Sequence, residues 1–423
     1  RHLVLVAGVP GSGKTRVGLS AVHTPALTDL AVDRAGGKPT APAIFLSGNG
    51  PLVQVLQYEL RGAGGGGETF VRDVKNYVKQ YLGDSRQVPP QHVIVYDEAQ
   101  RAWDLEQVMS KHSLPFPKSE PEAFVDFGER IPGWSVLVGL IGSGQEIHVG
   151  EEAGLGQWRT ALEKAGNPQS WTVHAPQNVL DTFFGADCSG ARLAARTEAN
   201  PALELTVELR FHFAADLDDW VENLLEGDDM QRGRELARRL ETAGYHLRMT
   251  RDLATARAYL GNRYADAPDA RFGLLASSRD KALETDWGVP NGWHSTQRVQ
   301  LGPWYGEGNG DARSCRNLTH CVTEFGAQGL ELDAVLLAWG TDFIRALRPN
   351  GGEEWTDEYA KRHQRGSHVK DPHRLRVNAY RVLLTRGRDA TIMFVPQDSR
   401  LDLTAAWLQG LGVKMLGAGK STT

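Results

Sequence analysis

The octapeptide GVPGSGKT at residues 8–15 constrains the fold more than any other part of the sequence. It fits the pattern GxxxxGK[ST], and it follows LVLVAG (3–8), a short continuous apolar run typical of a buried parallel strand. A segment with helical character begins at Thr15. A strand, a glycine-rich turn and a helix in this order predict the opening of an α/β fold with a parallel sheet.

The turn has the composition of a phosphate-binding loop. Its glycines let backbone N–H groups face phosphates, and the following helix presents its positive N-terminal end. Lys14 is predicted to reach the β- and γ-phosphates of ATP, and Thr15 to ligate Mg²⁺. The alternative is a flexible loop without a ligand. The other loop residues predicted to bind the nucleotide are Gly8, Pro10, Gly11, Ser12 and Gly13.

A second constraint is VIVYDEAQRAW (93–103), where an apolar strand ends in two adjacent acids. Burying two carboxylates side by side is costly unless a cation lies nearby. With the phosphate loop present, Asp97 is predicted to hold Mg²⁺ through its water shell, and Glu98 to act as general base on the attacking water. Gln100 is predicted to relay the nucleotide state. The alternative is an acid pair that only caps a helix.

Two sets of apolar strands divide the chain, which at 423 residues is too long for one ordinary core. We predict two α/β domains, residues 1–190 and 191–423, with a cleft between them. The first set continues with AIFLSGN (43–49), VIVYDEA (93–99) and SVLVGLIG (135–142); the second comprises ELTVELRF (204–211), RFGLLASS (271–278), AVLLAWG (334–340) and ATIMFVP (390–396).

Helical spacing recurs between these strands. We predict helices over VRDVKNYVKQYL (71–82) and MQRGRELARRLETAGY (230–245). YRVLLTRGRD (380–389) is predicted to be an amphipathic helix that carries three arginines, Arg386 among them. The polar segment 341–373 is predicted to be a long loop or an insertion.

The overall charge gives no sign of a nucleic-acid partner, since the net charge is -5 and the pI about 6.3. The stretch from Lys361 to Arg388 is a local exception, with nine Lys or Arg and one acid, Asp371. It could bind a phosphate backbone, or it could be a solvated loop together with arginines that face ATP. Eleven tryptophans could include base-stacking platforms, but the sequence nominates none.

The three cysteines form no CxxC pair, which argues against structural zinc and favours a reducing cytoplasm. No apolar run approaches the roughly 20 residues of a membrane span, so no membrane partner is expected. The chain begins with Arg1 rather than Met and enters a strand almost at once. A fused or associated upstream domain is therefore one of the partners considered.

Three further residues are candidates for the chemistry of the γ-phosphate. Gln145 lies in SGQE (143–146) at the end of an apolar strand and could hydrogen-bond the γ-phosphate or the attacking water. Arg210 and Arg386 could neutralise transition-state charge as arginine fingers from a second domain. The alternative for each arginine is a solvated surface charge, and for Gln145 a polar turn.

The order of these motifs resembles the motif series of superfamily 1 helicases. More closely, the chain is similar to the bacterial Schlafen group 3-like DNA/RNA helicase domain, and residues 119–158 and 323–333 resemble that family almost word for word. The resemblance covers nearly the whole chain and implies two RecA-like P-loop domains with parallel sheets and an ATP cleft between them. The motifs are GVPGSGKT, SGNGPL, DEAQRAW, GSGQEI, ELRFH, TEFGAQGLELD and NAYRVLLTRGRD.

The resemblance also implies roles for particular residues. Asp97 and Glu98 match the Walker B pair, and Ser47 and Asn49 fall in the region that touches the nucleic-acid backbone in helicases. The glycine and aspartate that usually precede the motif III glutamine are replaced by Ile141 and Gly142. The remaining matches are Gln145 in motif III, Arg210 in motif IV, Gly329 and Glu331 as nucleotide-binding residues of motif V, and Arg386 as the motif VI finger.

Two functions from different classes follow. The first is an ATP-dependent helicase or translocase that moves single-stranded DNA or RNA. The second is an ATP-gated regulatory or defence module that switches a fused or partner domain without unwinding, since the chain lacks a large insertion resembling strand-separating subdomains. A small-molecule kinase is disfavoured, because it leaves Arg210, Glu331 and Arg386 unexplained.

Overall fold

The computed structural model divides the chain into two compact units, Arg1–Arg210 and Phe211–Thr423. No helix within the described ranges is long and apolar enough to cross a membrane. The structure describes residues 1–9, 11–30, 42–63, 67–83, 87–111, 117–142, 152–185, 193–206, 214–348, 351–361 and 371–417.

The first unit is built on one eight-stranded sheet in which every described pairing is parallel. The strand order is β3-β2-β4-β5-β1-β6-β7, and β8 pairs with the end of β1. The strands are β1 (His2–Gly8), β2 (Ala43–Ser47), β3 (Val71–Asp73), β4 (Val93–Asp97), β5 (Val136–Gly142), β6 (Thr172–Ala175), β7 (Arg196–Ala199) and β8 (Glu204–Leu205).

Helices connect these strands. A capping box fixes the start of α6, where the Ser119 side chain accepts from Glu122 N and the Glu122 side chain accepts from Ser119 N. The helices are α1 (Lys14–Val22), α2 (Gly50–Gly62), α3 (Gly67–Phe70), α4 (Val74–Gly83), α5 (Leu105–Lys111), α6 (Glu120–Arg130), α7 (Glu152–Glu163) and α8 (Gln177–Val179), the last continuing as a π-helical turn over Leu180–Phe184.

Both faces of the first sheet are buried, as expected for strands that are continuous apolar runs. Along β1, Leu3 and Leu5 belong to a core cluster with Trp158, whereas Val6 belongs to a separate cluster with Phe45. The sheet lies between these two clusters. The predicted α/β class with parallel sheets is confirmed.

The second unit has a six-stranded sheet in the order β11-β10-β12-β15-β9-β16, again parallel in every described pairing. A separate antiparallel hairpin is formed by β13 and β14. The strands are β9 (His246–Thr250), β10 (Phe272–Ala276), β11 (Cys321–Val322), β12 (Leu332–Ala338), β13 (Ile344–Leu347), β14 (Glu353–Thr356), β15 (Gly387–Phe394) and β16 (Lys414–Met415).

Helices also connect the strands of the second unit. Three of these helices begin after an aspartate whose side chain accepts from a backbone N–H of the first turn: Asp229, Asp252 and Asp371. The helices are α9 (Ala214–Leu225), α10 (Met230–Thr242), α11 (Leu253–Arg263), α12 (Leu283–Trp287), α13 (Trp293–Gln297), α14 (Leu301–Gly306), α15 (Glu324–Ala327), α16 (Pro372–Leu384) and α17 (Asp402–Gly410).

The structure differs from the sequence predictions at the boundary between the units. The predicted boundary follows residue 190, but the first unit continues to Arg210. The reason is that β7 pairs with β6 and β8 pairs with β1, so both strands belong to the first sheet. The rest of the predicted strand 204–211 lies mostly outside the described residues.

Three secondary-structure predictions were wrong in part. The predicted helix over 71–82 begins as a strand, because Val71–Asp73 pairs with β2 at the sheet edge. The predicted helix over 380–389 ends at Leu384, so Arg386 lies in a turn and Arg388 in β15. Part of the predicted loop 341–373 forms the β13–β14 hairpin.

Candidate nucleotide site

The phosphate loop connects β1 to α1. Gly11 and Gly13 have positive φ angles of 75° and 85°, a left-handed conformation that residues with a Cβ rarely adopt. The turn therefore needs glycine at both positions, and it ends where Lys14 opens α1. Pro10, also predicted to bind the nucleotide, lies outside the described residues.

Two side chains of the loop, Lys14 and Ser12, carry hydrogen-bond donors that a phosphate group could accept from. Lys14 Nζ donates to the carbonyl oxygens of Gly8 and Val9 at 2.8 and 2.9 Å. Ser12 is buried, and its hydroxyl has no hydrogen-bond partner in the described part of the chain. A Cβ at Gly8 would overlap this hydroxyl. A buried hydroxyl without a partner beside a lysine fits a loop that encloses phosphate oxygens.

The acid pair follows β4, and Asp97 lies next to the start of α1. The Thr15 hydroxyl donates to Asp97 Oδ1 at 3.4 Å. Burial, reinforced by the negative charge of Glu98, raises the pKa of Asp97 to about 7. A divalent cation would offset this desolvation, so Asp97 and Thr15 fit the predicted Mg²⁺ ligands. Within the described ranges, no cluster of three or more His, Cys, Asp or Glu forms a separate metal site.

Glu98 differs from Asp97 in both exposure and backbone. Its side chain is 42% exposed, and its φ of 57° places a residue with a Cβ in the left-handed region. Gln100 Nε2 donates to Glu98 Oε2 at 2.6 Å, and Arg101 Nε lies 3.7 Å from the same oxygen. Such strain is typical of functional sites, where it orients a side chain. Here it turns the two adjacent acids to different surroundings.

Gln100 links this acid to the neighbouring strand. Its Oε1 accepts from Gly142 N at 3.2 Å, so one amide group bridges Glu98 and the last residue of β5. A Cβ at Gly154 in α7 would overlap the Gln100 carbonyl oxygen, and Trp158 Nε1 donates to Ala99 O at 3.0 Å. Because α7 packs this closely, the 3-10 turn over Ala99–Arg101 is held in place.

Sequence reasoning missed one residue of this site, Glu120 at the start of α6. It is buried and accepts hydrogen bonds from Tyr96 OH at 2.6 Å and from Trp103 N at 2.8 Å. Burial raises the pKa of Glu120. Its carboxylate thus fixes both ends of the segment that carries the acid pair. A glutamate in a helix's first turn looks like an ordinary helix-capping acid, so the sequence gives no signal for this role.

In the second unit, the structure brings the GLE element next to Arg386. Gly329 has a φ of 76°, and Leu332 N donates to Arg386 O at 2.9 Å. Arg386 in turn donates to Val382 O at 2.9 Å and to Leu330 O at 3.4 Å. The two motifs therefore lie side by side at the amino ends of β12 and β15.

The family model of the Schlafen group 3, DNA/RNA helicase domain matches residues 1–397. The chain belongs to this family. The helicase domain spans both units, so the phosphate loop and the GLE–Arg386 pair are parts of one family domain. No curated protein sequence matches the chain significantly.

Two solved structures are similar to this helicase domain at low identity. Arterivirus nonstructural protein 10, a helicase, is 13% identical with a TM-score of 0.29, covering 96% of this chain and 61% of that one. The same helicase in a complex with DNA is 12% identical with a TM-score of 0.31, covering 96% of this chain and 63% of that one. The helicase domain thus spans about three-fifths of the length of those chains.

Four of the six basic residues described in the segment from Lys361 to Arg388 are paired with acids from elsewhere in the chain. Arg374 and Arg381 both form ion pairs with Glu226. Arg376 is buried, with Nη1 2.9 Å from Ser277 Oγ and 3.4 Å from Asp342 Oδ2. Arg388 Nη2 lies 2.7 Å from Glu331 Oε2. Glu331, predicted to bind the nucleotide, therefore forms an ion pair with Arg388. Among the described residues, these contacts favour a structural role over an open phosphate-binding groove.

The remaining predicted residues are only partly described. Gln145 and Arg210 lie outside the described residues. Ser47 Oγ accepts from Asn49 N at 3.1 Å, and the Asn49 side chain accepts from Leu52 N at 3.3 Å as the cap of α2. These two side chains therefore have local structural partners, and their contact with nucleic acid stays a prediction.

Proposed function

We propose that this helicase domain is an ATP-dependent DNA/RNA helicase or single-strand translocase that hydrolyses ATP in a cleft between two RecA-like domains. The observation that carries the proposal is the approach of the Thr15 hydroxyl to the Asp97 carboxylate beside the phosphate loop. This contact unites two motifs that are 82 residues apart in sequence. The pairing is what an NTP hydrolase requires, and what a ligand-free glycine loop would not need.

Nucleotide binding falls to the loop in this proposal. Lys14, which now donates to loop carbonyl oxygens, would exchange them for phosphate oxygens, and Ser12 would donate its unpartnered hydroxyl. Thr15 and Asp97 would hold Mg²⁺, which supplies neutralisation of phosphate charge. Gly329 and Glu331 of the second unit are proposed to contribute further nucleotide contacts.

Glu98 is proposed as the general base. It accepts a proton from water as the water oxygen attacks the γ-phosphorus and the bond to the β-γ bridging oxygen breaks, releasing ADP and phosphate. Gln100 orients the carboxylate through its 2.6 Å hydrogen bond. Arg386, Arg210 and Gln145 are proposed to stabilise the negative charge that develops on the transferred group.

The proposed partner is single-stranded DNA or RNA, which the family's description as a DNA/RNA helicase domain supports. The proposed place of action is the cytoplasm. The ATP-gated regulatory or defence module is kept as the second candidate. It is favoured by one observation, the pairing of the described basic segment with internal acids, which reduces the positive charge available to a nucleic-acid backbone.

The test is an ATPase assay with the whole chain, without and with single-stranded DNA or RNA, at several salt concentrations. A rate that rises with polynucleotide, with a stimulation that weakens as salt increases, supports the motor. A measurable rate that no polynucleotide changes favours the regulatory module. The absence of any ATP turnover contradicts both.

A further inference from the structure

Trp293 and Phe325 are the two most exposed aromatic side chains among the described residues, at 68% and 63% of their surface. Large aromatic side chains usually contribute to folding by burial, and these two contribute little. One exposed apolar side chain is ordinary, but two on neighbouring segments suggest a binding surface.

Hydrogen bonds tie a residue close in sequence to each aromatic side chain to the same turn after β10. Asn291, two residues before Trp293, donates its Nδ2 to Ser277 O at 2.9 Å. The Glu324 carboxylate, next to Phe325, accepts from Ser278 N at 2.9 Å and from Ser278 Oγ at 2.8 Å. The segments that carry Trp293 and Phe325 are therefore anchored at Ser277 and Ser278, consecutive residues of one turn at the carboxyl edge of the second sheet. This is the edge where parallel sheets bind ligands.

The same turn carries charges of both signs, with a basic residue on either side of the buried Asp280. Arg279 follows Ser278, and the exposed Lys281 follows Asp280, whose carbonyl oxygen accepts from Asn291 Nδ2 at 3.3 Å. The helix α12, which follows the turn, carries the exposed acids Glu284 and Asp286, and Glu284 accepts a hydrogen bond from Ser295 of α13. Flat aromatic faces beside cations match the two components of single-stranded nucleic acid, its bases and its phosphates.

We propose that Trp293 and Phe325 are stacking platforms for bases of single-stranded nucleic acid, with the phosphate backbone next to Arg279 and Lys281. The proposal rests on the proposed function in that it requires a nucleic-acid partner. It deepens that function by assigning base contacts to the second unit. The ligand is recognised by stacking, which every base allows, so no particular sequence is preferred.

The test is fluorescence anisotropy with labelled oligothymidylate and oligouridylate of about 20 nucleotides, a length that exceeds common single-strand binding sites. Trp293→Ala should raise Kd about 5- to 100-fold, and Phe325→Ala should act in the same direction. Trp293→Phe keeps a ring and should retain most of the affinity. The matched control is Trp134→Ala, a partly exposed tryptophan before β5 at the amino edge of the first sheet, which should bind like the wild type.

An abasic oligonucleotide separates stacking from charge. With no bases to stack, wild type and Trp293→Ala should bind the abasic strand equally, and the slope of log Kd against log salt should not change in the variant. A Trp293→Ala affinity within twofold of wild type, or an equal loss with the abasic strand or in Trp134→Ala, overturns the proposal. Wild-type protein that binds neither oligonucleotide overturns both this proposal and the nucleic-acid part of the proposed function.

Discussion

At Glu98 the backbone takes a left-handed conformation that costs a residue with a Cβ about 1–3 kcal/mol. The cost is offset by the neighbours, since Gln100 bonds the carboxylate and Glu120 holds Tyr96 and Trp103 on either side. The two acids therefore have different surroundings: Asp97 is buried beside Thr15, and Glu98 is partly exposed to solvent. The backbone geometry thus supports different roles for two adjacent carboxyl groups.

The different surroundings of Asp97 and Glu98 predict that Glu98→Gln affects hydrolysis more than nucleotide binding. The amide keeps the shape of the side chain but cannot accept a proton, so we expect ATP and Mg²⁺ binding to persist while hydrolysis slows at least ~100-fold. Binding of a fluorescent ATP analogue and release of phosphate measure the two effects. Lys14→Ala is the contrasting variant, because it should lose turnover through lost nucleotide binding. Hydrolysis by Glu98→Gln at the wild-type rate would rule out the general-base role.

At the scale of elements, α7 packs against the 3-10 turn that follows the acid pair. Its Gly154 lies so close to the Gln100 carbonyl oxygen that a methyl group cannot be accommodated, whereas Gly156 in the same helix has open space. The helix and the 3-10 turn are therefore one packed unit. Displacing α7 should move Gln100 and, through its hydrogen bond, Glu98.

Gly154→Ala should accordingly lower stability by about 1–3 kcal/mol, the usual cost of overpacking, and reduce ATPase activity. Gly156→Ala is the matched control, and it should leave activity unchanged and raise stability by up to about 1 kcal/mol through helix propensity. Urea denaturation and ATPase rates of the two variants give the comparison. Equal behaviour of both would show that the close approach of α7 does not matter.

A second element-scale prediction concerns the ion pairs that join α10 to β9 and β16. Each carboxylate oxygen of Glu241 lies 2.7 Å from a guanidinium nitrogen of Arg248. Lys414 Nζ lies 3.2 Å from Glu241 Oε1. Chiefly the hydrogen bonds from Arg248 lower the pKa of Glu241 to about 2. Because the pKa of Glu241 is lower in the folded state than in the unfolded state, the ionised carboxylate stabilises the fold at pH values above the unfolded-state pKa. This stabilisation is lost as the pH falls toward 2.

Glu241→Gln should therefore cost about 1 kcal/mol at neutral pH, allowing for the exposed part of the pair. The difference from wild type should shrink as the pH falls from about 4.5 toward 2. Urea titrations across this range measure it. Glu235→Gln on the same helix removes a fully exposed pair with Arg238 and should show little change at any pH. A pH-independent difference would contradict the ion-pair explanation.

The sequence predicted β1, β2, β4, β5, β10, β12 and β15, because continuous apolar runs mark parallel strands buried on both faces. It missed β6, β7, β9, β11 and β16, which are very short or only partly buried, and it assigned the strand that includes β8 to the second domain. It failed where local pattern and tertiary pairing disagree. Val71–Asp73 has helical spacing but pairs with β2, and Arg386 continues a helical pattern but follows the end of α16. Of the site, the motifs predicted Thr15 and Asp97 as ligands of one Mg²⁺ ion, a role that requires the closeness of their side chains. The role of Glu120 depends on burial and partners distant in sequence, which no motif contains.

For the whole molecule, the proposed reaction requires groups from both units. Arg386→Ala should lower kcat by about a thousandfold, within the range for a lost arginine finger, while the Kd for ATP changes only a few-fold. Single-turnover hydrolysis and equilibrium binding distinguish these effects, and thermal denaturation checks the contacts of Arg386 with Val382 and Leu330. Arg313→Ala, an exposed arginine paired with Asp311, is the control. A loss confined to ATP affinity would argue against the finger.

The two-residue strand β8 constrains the start of the phosphate loop. Leu205 pairs with Gly8, and a Cβ at Gly8 would come within 3.0 Å of Leu205 Cβ. The last described strand of the first unit therefore lies beside the first residue of the phosphate loop. A Cβ at position 8 would press on Ser12 in the loop and on Leu205 in β8 at once, so Gly8→Ala would disturb the nucleotide site and displace β8 together.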